Sequence, residues 1–186
     1  AIWRNKKQDP LGSDSNSGQT SYDNLYCDTK LWMEKGWMDY VVPQLYWSTT
    51  NLYANFNKLL NWWSSNTLES MHLYTGHALY KLDVTQRRKF STQQIIEQVT
   101  RSRSNSKSQG SIYFRANAFK KDYQGFQKKF TETIYQHPAI IPTMPWIDSI
   151  PPCSPKKLKL TWENSSIMLS WKEDESQDPM NKAHTY

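Results

Sequence analysis

Cysteine is scarce in this sequence. Cys27 and Cys153 are the only two in 186 residues, and a pair so far apart makes neither a disulfide framework nor a metal site. Long apolar stretches are absent too: no run approaches the roughly 18 residues that span a bilayer. No Gly-x-Gly-x-x-Gly or Walker-type loop occurs, which removes the usual phosphate cradles. No Gly-x-Ser-x-Gly occurs either, which removes the nucleophile elbow. His72 and His77 lack a third ligand at zinc-binding spacing, so neither metal nor cofactor is expected. An initiating Met is missing, and Ala1-Ile2-Trp3-Arg4-Asn5 reads as the end of a buried strand entering a loop. With Ala183-His184-Thr185-Tyr186 resembling the opening of another strand, the sequence is expected to be a window cut from a larger protein.

Aromatic residues are abundant. Nine Trp and 11 Tyr bring a large buried area, and their polar tips leave amphipathic surface for a ligand. The net charge of +6 gathers in short clusters. Arg101, Arg103 and Lys107 fall in a Ser-rich stretch, and Lys156, Lys157 and Lys159 near the end. No aromatics interleave with these clusters, which reads as solvated loops rather than a nucleic-acid surface. A mildly basic chain is also compatible with an anionic polymer such as cell-wall material.

Short apolar strands alternate with amphipathic helices. Asp39 to Tyr46, Met71 to Thr75 and Ser111 to Phe114 are the strands, with Ala1 to Trp3 as the remnant of a fourth. A helix over Ser21 to Lys35 would bury Tyr22, Leu25, Tyr26, Trp32 and Met33 and stop at Gly36. Leu52, Phe56, Leu59, Leu60 and Trp63 form a second stripe. Ser91-Thr92-Gln93-Gln94 predicts a capping box before Ile95, Ile96 and Val99, and a last helix after Gly125 carries Phe126, Phe130 and Ile134 and ends at His137-Pro138.

Four strand-helix units without hairpin turns predict a parallel α/β fold. They amount to half of a (β/α)8 TIM barrel, whose length of about 250 residues gives about 31 per unit. An open doubly wound sheet competes, though it lacks its glycine loop here. Pro43 inside a strand removes a ladder donor and marks a local irregularity. Past Trp146 the texture changes: Ile150 to Pro155 is a Pro-rich linker, and Leu158 to Trp162 and Ile167 to Trp171 alternate across an Asn164-Ser165-Ser166 turn. Residues 1–149 therefore form one domain, and 150–186 a linker with an incomplete β-sandwich hairpin.

Barrel enzymes build their sites at the C-terminal ends of the strands. Those positions here read Trp3-Arg4-Asn5, then Gln44, Tyr46 and Trp47, then Tyr74, His77 and Tyr80, then Arg115 and Asn117. Rings beside amides, an arginine and a histidine suit a polyhydroxylated ligand, with sugar faces stacked and hydroxyls hydrogen-bonded. The same rings could equally close the barrel mouth. Glycoside hydrolysis ordinarily uses two carboxylates, and no Asp or Glu stands at these four ends. Asp39 opens its strand at the opposite end, and Asp14, Asp23 and Asp28 lie in the first loop and its helix.

Several blocks resemble the C-terminal half of the bacterial glycosyl-hydrolase-like family ten catalytic domain. They are Ile2-Trp3-Arg4-Asn5, the Ser21 to Tyr26 block, Gly36 to Trp47 with its Pro43-Gln44-x-Tyr46-Trp47 core, His72 to Lys81, Gly110 to Phe114 and Pro138 to Trp146. The resemblance covers about three quarters of the chain and accounts for Pro43. It implies the fifth to eighth barrel strands, with the family's paired aspartates upstream of Ala1 and this piece inactive by itself. It further implies a glycosidase acting on bacterial polysaccharide, especially peptidoglycan glycan strands, outside the cytoplasm: periplasmic, outer-membrane lipoprotein or secreted. Any membrane contact would come from an N-terminal anchor outside this sequence. Substrate contacts would fall to Trp3, Arg4, Asn5, Gln44, Tyr46, Trp47, Tyr74 and His77, although His77 stands where relatives carry Gln. Pro151 to Tyr186 resembles the first two strands of a fibronectin type III domain with Trp171 in its core. The alternative is a non-catalytic glycan-binding module.

Overall fold

A computed structural model describes residues 1–16, 18–151, 154–163 and 165–172, with the side chain of Glu163 left aside. The chain divides into two compact units, Ala1–Pro142 and Thr143–Tyr186.

The first unit is mixed α/β. Its elements run α1 (Ser21–Leu25), α2 (Thr29–Glu34), β1 (Tyr40–Val41), α3 (Phe56–Asn66), β2 (His72–Ala78), a 3-10 turn (Leu79–Leu82), α4 (Thr92–Arg103), β3 (Ser108–Phe114), α5 (Ala116–Lys121) and α6 (Phe126–Thr133). The three strands make a parallel sheet in the order β1-β2-β3.

The strand boundaries correct the sequence reading in an informative way. β1 is only two residues long because Pro43 has no N–H to give. Its carbonyl still accepts from Gly76 N at 3.0 Å, Leu45 N donates to Gly76 O at 3.0 Å, and pairing resumes as an isolated bridge between Gln44 and Gly76. β2 continues past Thr75 to Ala78, because Gly76 marks a close approach of two backbones rather than a break. A Cβ on Gly76 would lie 2.8 Å from Pro43 O. β3 begins three residues earlier than expected, at Ser108. Ala1 to Trp3 forms no strand; the nearest pairing is a bridge between Asn5 and Ser13.

The expected helix over Ser21 to Lys35 is two helices. Thr20 caps α1 by accepting from Asp23 N, and Asp28 caps α2 by accepting from Leu31 N. Two N-caps so close together start two helices, and Tyr26 between them adopts the left-handed region with φ 54°. Of the stripe assigned to this segment only Met33 is fully buried, and Tyr26 is 92% exposed. In α3, Asn55 caps the N-terminus, so Leu52 lies outside the helix, while Phe56, Leu59, Leu60 and Trp63 are buried. Half of the capping box forms: Ser91 Oγ accepts from Gln94 N, but the Gln94 amide donates to Thr49 Oγ1 instead of turning back. Phe126, Phe130 and Ile134 are buried, as their spacing predicts, although α6 already ends at Thr133.

Two apolar clusters result. One gathers Ile2, Met33, Val41, Leu45, Phe56, Leu59, Trp63 and Leu73. The other gathers Leu79, Leu82, Ile95, Val99, Ala118, Phe126 and Phe130.

In the second unit β4 (Lys156–Glu163) and β5 (Ser166–Lys172) pair antiparallel, with Trp162 opposite Ile167. The hairpin is as its alternation predicts. Its turn residue Asn164, the linker residues Pro152 and Cys153, and the terminal Ala183 to Tyr186 lie outside the described residues. Trp171, expected in a core, is 40% exposed.

Candidate functional site

In a parallel sheet the C-terminal strand ends all open on one side, so the residues following β1, β2 and β3 converge there. Tyr46 follows β1, Tyr80 follows β2, and Phe114 closes β3. Their rings meet: Tyr46 lies 6.1 Å from Tyr80 and 6.4 Å from Phe114, and Tyr80 lies 6.1 Å edge-on from Phe114. Lys81 Nζ donates to the Tyr46 carbonyl and ties the first two strand ends together. Burial pushes the Tyr46 phenol up and the Lys81 ammonium down, the latter reinforced by Arg88.

Two clefts flank this cluster. One of about 240 Å³ is lined by Tyr80, Asp83, Phe114, Arg115, Asn117 and Tyr123, among others. The second, about 590 Å³, runs from Tyr46, Trp47 and Tyr53 to Lys81, Arg88 and Phe90. Asp83 is a carboxylate at the mouth that the sequence reading passed over. It follows a 3-10 turn, invisible to periodicity. The Thr85 N–H and hydroxyl both donate to Asp83 Oδ1 at 3.0 and 2.7 Å and hold its carboxyl below the usual range. An acid so held is an acceptor rather than a proton donor.

The other expected residues divide by location. Gln44 is exposed beside the mouth, and Trp47 is half-buried, with its carbonyl accepting from Gln98 Nε2 at 2.9 Å. Arg4 is occupied by Asp9 at 2.9 Å and Asp23 at 3.3 Å and lies over the Tyr22 ring. Asn5 Oδ1 accepts from Ser15 Oγ at 3.4 Å. Trp3 is buried, its indole stacked on Trp62 and donating to Asp28 at 3.0 Å, so it has no face to offer a ligand. Tyr74 sits at the opposite, N-terminal end of the strands, edge-on to Tyr40 with its hydroxyl 3.2 Å from His72 Nδ1.

His77 departs furthest from expectation. Because β2 runs on to Ala78, His77 is inside the strand and points into the helix layer, fully buried against Phe56 and Tyr113. Gln98 spends its amide N–H on Trp47, so its Oε1 accepts from His77 Nδ1 at 3.2 Å, and His77 Nε2 then accepts from the Ser111 hydroxyl at 3.0 Å. This neutral tautomer fits a group that burial pushes down to about 4 from the ordinary 6.5.

Stability from this group is full above pH 6.5 and falls as pH drops toward 4, because the unfolded chain takes the proton first. About 2 kcal/mol should be lost by pH 5. Urea unfolding between pH 7 and 5 checks this, and His77→Asn should flatten that part of the slope. An equal slope in the variant would assign the loss elsewhere.

Residues 4–95 match the Glycosyl hydrolase-like 10 family model. Along its whole length the chain is 33% identical to the glycosyl hydrolase YngK of Bacillus subtilis strain 168, and over 82 residues it is 42% identical to the glycosyl hydrolase DigH of Escherichia coli K12. The chain spans 37% of the length of the Bacillus relative and 18% of the E. coli one. These matches support a place for the chain in the glycosyl hydrolase-like 10 family. The matched segment contains Tyr46, Trp47, Tyr80, Lys81, Asp83 and Arg88, but not Phe114.

Among the described residues, no group of three or more His, Cys, Asp or Glu side chains could hold a metal ion. None of their helices is long and apolar enough to cross a membrane. The acids of the first loop and its helix are engaged elsewhere: Asp14 faces Lys6 and Lys58, Asp23 pairs with Arg4, and Asp28 caps α2.

Proposed function

We propose that this chain is the C-terminal part of a glycoside hydrolase barrel, contributing strands five to eight, that cleaves O-glycosidic bonds in bacterial polysaccharide. Peptidoglycan glycan strands outside the cytoplasm are the substrate. The observation that carries this reading is the meeting of Tyr46, Tyr80 and Phe114 at three adjacent strand ends. Such rings stack on pyranose faces, and Gln44, Asn117 and Arg115 beside them supply hydrogen bonds to hydroxyls. The relatives' names support the reaction class.

Glycoside hydrolysis requires an acid that gives its proton to the leaving oxygen and a second carboxylate as base or nucleophile. Asp83, held ionised by Thr85, serves as a hydroxyl acceptor and not as that acid. The catalytic pair is supplied by the part of the barrel preceding residue 1. The hairpin of β4 and β5 begins a fibronectin type III domain.

The test is incubation of the full-length protein with peptide-free peptidoglycan strands, reading new reducing ends. Release by the full-length protein, with none from the 186-residue piece, is expected. Binding without release would favour the second reading, a non-catalytic glycan-binding module. That reading draws support from Asp83 being the one carboxylate lining either mouth cleft among the described residues.

A further inference from the structure

The larger cleft at the mouth is lined by cations with no acid to match them. Lys81, Arg88 and Lys89 stand together with Tyr46, Trp47, Tyr53 and Phe90, and Asn51, Ser48, Ser91 and Gln94 complete the wall. None of the three cations makes an ion pair with a carboxylate among the described residues. The volume of about 590 Å³ falls in the range of ligand clefts, about 300–1,000 Å³.

Lys81 is held in place rather than trailing in solvent, while Arg88 and Lys89 are exposed at the rim of the cleft. Lys81 donates to the Tyr46 carbonyl and lies 4.7 Å from the centre of the Phe90 ring. The loop between them is closed by Phe90 N donating to Lys81 O at 2.7 Å. Gln124 staples the same loop from α6's side of the fold, donating to the carbonyls of Leu82 and Phe90 at 2.6 and 2.9 Å. Holding a half-buried ammonium beside a guanidinium without a counter-ion is unfavourable by itself. An arriving anion removes that cost, and the surrounding rings and amides suit a pyranose carrying it.

We propose that this cleft is an anion subsite that binds a carboxylate-bearing sugar, with Lys81 and Arg88 gripping the carboxylate and Tyr46, Trp47 and Tyr53 receiving the ring. The inference rests on the glycan reading above and specifies the substrate class at that site. Two sources carry the same chemistry: the lactyl ether of muramic acid, and the C6 carboxylate of a uronic acid.

Calorimetric titration of the full-length protein at physiological salt, where loose surface attraction is screened, tests it with three probes. These are peptide-free peptidoglycan strands with free carboxylates, the same strands methyl-esterified, and oligogalacturonate. Free-acid strands should bind about tenfold more tightly than esterified strands, as a charge-assisted contact requires. Arg88→Gln should bring the two within about twofold of each other. Arg88 is exposed, so this variant should fold even where Lys81→Met does not. Binding of the free-acid strands alone assigns the lactyl carboxylate; tight, Arg88-dependent binding of oligogalacturonate in their place keeps the subsite and overturns peptidoglycan as substrate. Equal binding of free-acid and esterified strands, or an Arg88→Gln loss common to both, overturns the subsite while leaving glycan binding standing. Binding of none of the three overturns both.

Discussion

Trp63→Ala should cost about 3–5 kcal/mol of unfolding free energy, the largest single effect expected in this chain. The indole is 1% exposed on the inner face of α3 and belongs to the cluster of Phe56, Leu59 and Leu73. It also meets Trp62 edge-on at 5.1 Å and donates from Nε1 to the Ala1 carbonyl at 2.9 Å. Alanine removes the ring, opens a cavity and strands that carbonyl together. Trp63→Phe separates the contributions: it keeps most of the volume and loses the hydrogen bond, so about 1–3 kcal/mol should remain. Urea denaturation of the two variants beside the wild type decides the matter. Equal losses would mean that packing at this position adds little beyond the bond.

Gly76→Ala should cost about 3 kcal/mol through a different cause, overpacking with weakened ladder bonds. The added methyl would meet Pro43 O at 2.8 Å, against backbone on a neighbouring strand that cannot rotate away. The two bonds holding β1 to β2 there, Gly76 N to Pro43 O and Leu45 N to Gly76 O, are both 3.0 Å. Strand separation at that point carries Gln44 and Tyr46 with it, so on the proposed glycosidase reading binding of peptide-free glycan strands should fall along with stability. Gly18→Ala is the control, since nothing lies within 4 Å of its added methyl, and a change within about 0.5 kcal/mol is expected. Similar results for the two glycines would return Gly76 to an ordinary strand position.

The sequence made the helices more readable than the strands, for a physical reason. Buried stripes such as Phe56-Leu59-Leu60-Trp63 repeat over several turns, whereas a short parallel strand has few residues and no alternation to reveal its ends. Gly76 looks like punctuation when read alone, so the sequence pattern ends β2 too early. Only the facing Pro43 carbonyl explains it, and that contact joins residues far apart in the chain. Moving the strand end by three residues was enough to carry Tyr74 and His77 away from the mouth and to bring Tyr80 forward. Tyr46 and Trp47 were legible because they directly follow a recognisable block. Lys81, Arg88 and Asp83 were not, since they depend on a 3-10 turn and a loop stapled by Gln124. The double N-cap at Thr20 and Asp28 is legible from residue type alone, because Thr and Asp are both favoured capping residues.

The two apolar clusters have a seam between them, and the seam is polar. His77, Gln98 and Ser111 lie along it, and through Gln98 it reaches the backbone of Trp47. Oil on oil slides with little change in energy, but a chain of directional bonds has one register. The seam therefore acts as a dowel between the half of the unit that carries Tyr46 and the half that carries Tyr80 and Phe114. The gauge of the aromatic cluster, the spacing of the Tyr46 ring from those of Tyr80 and Phe114, is thus set by three side chains that lie apart from it.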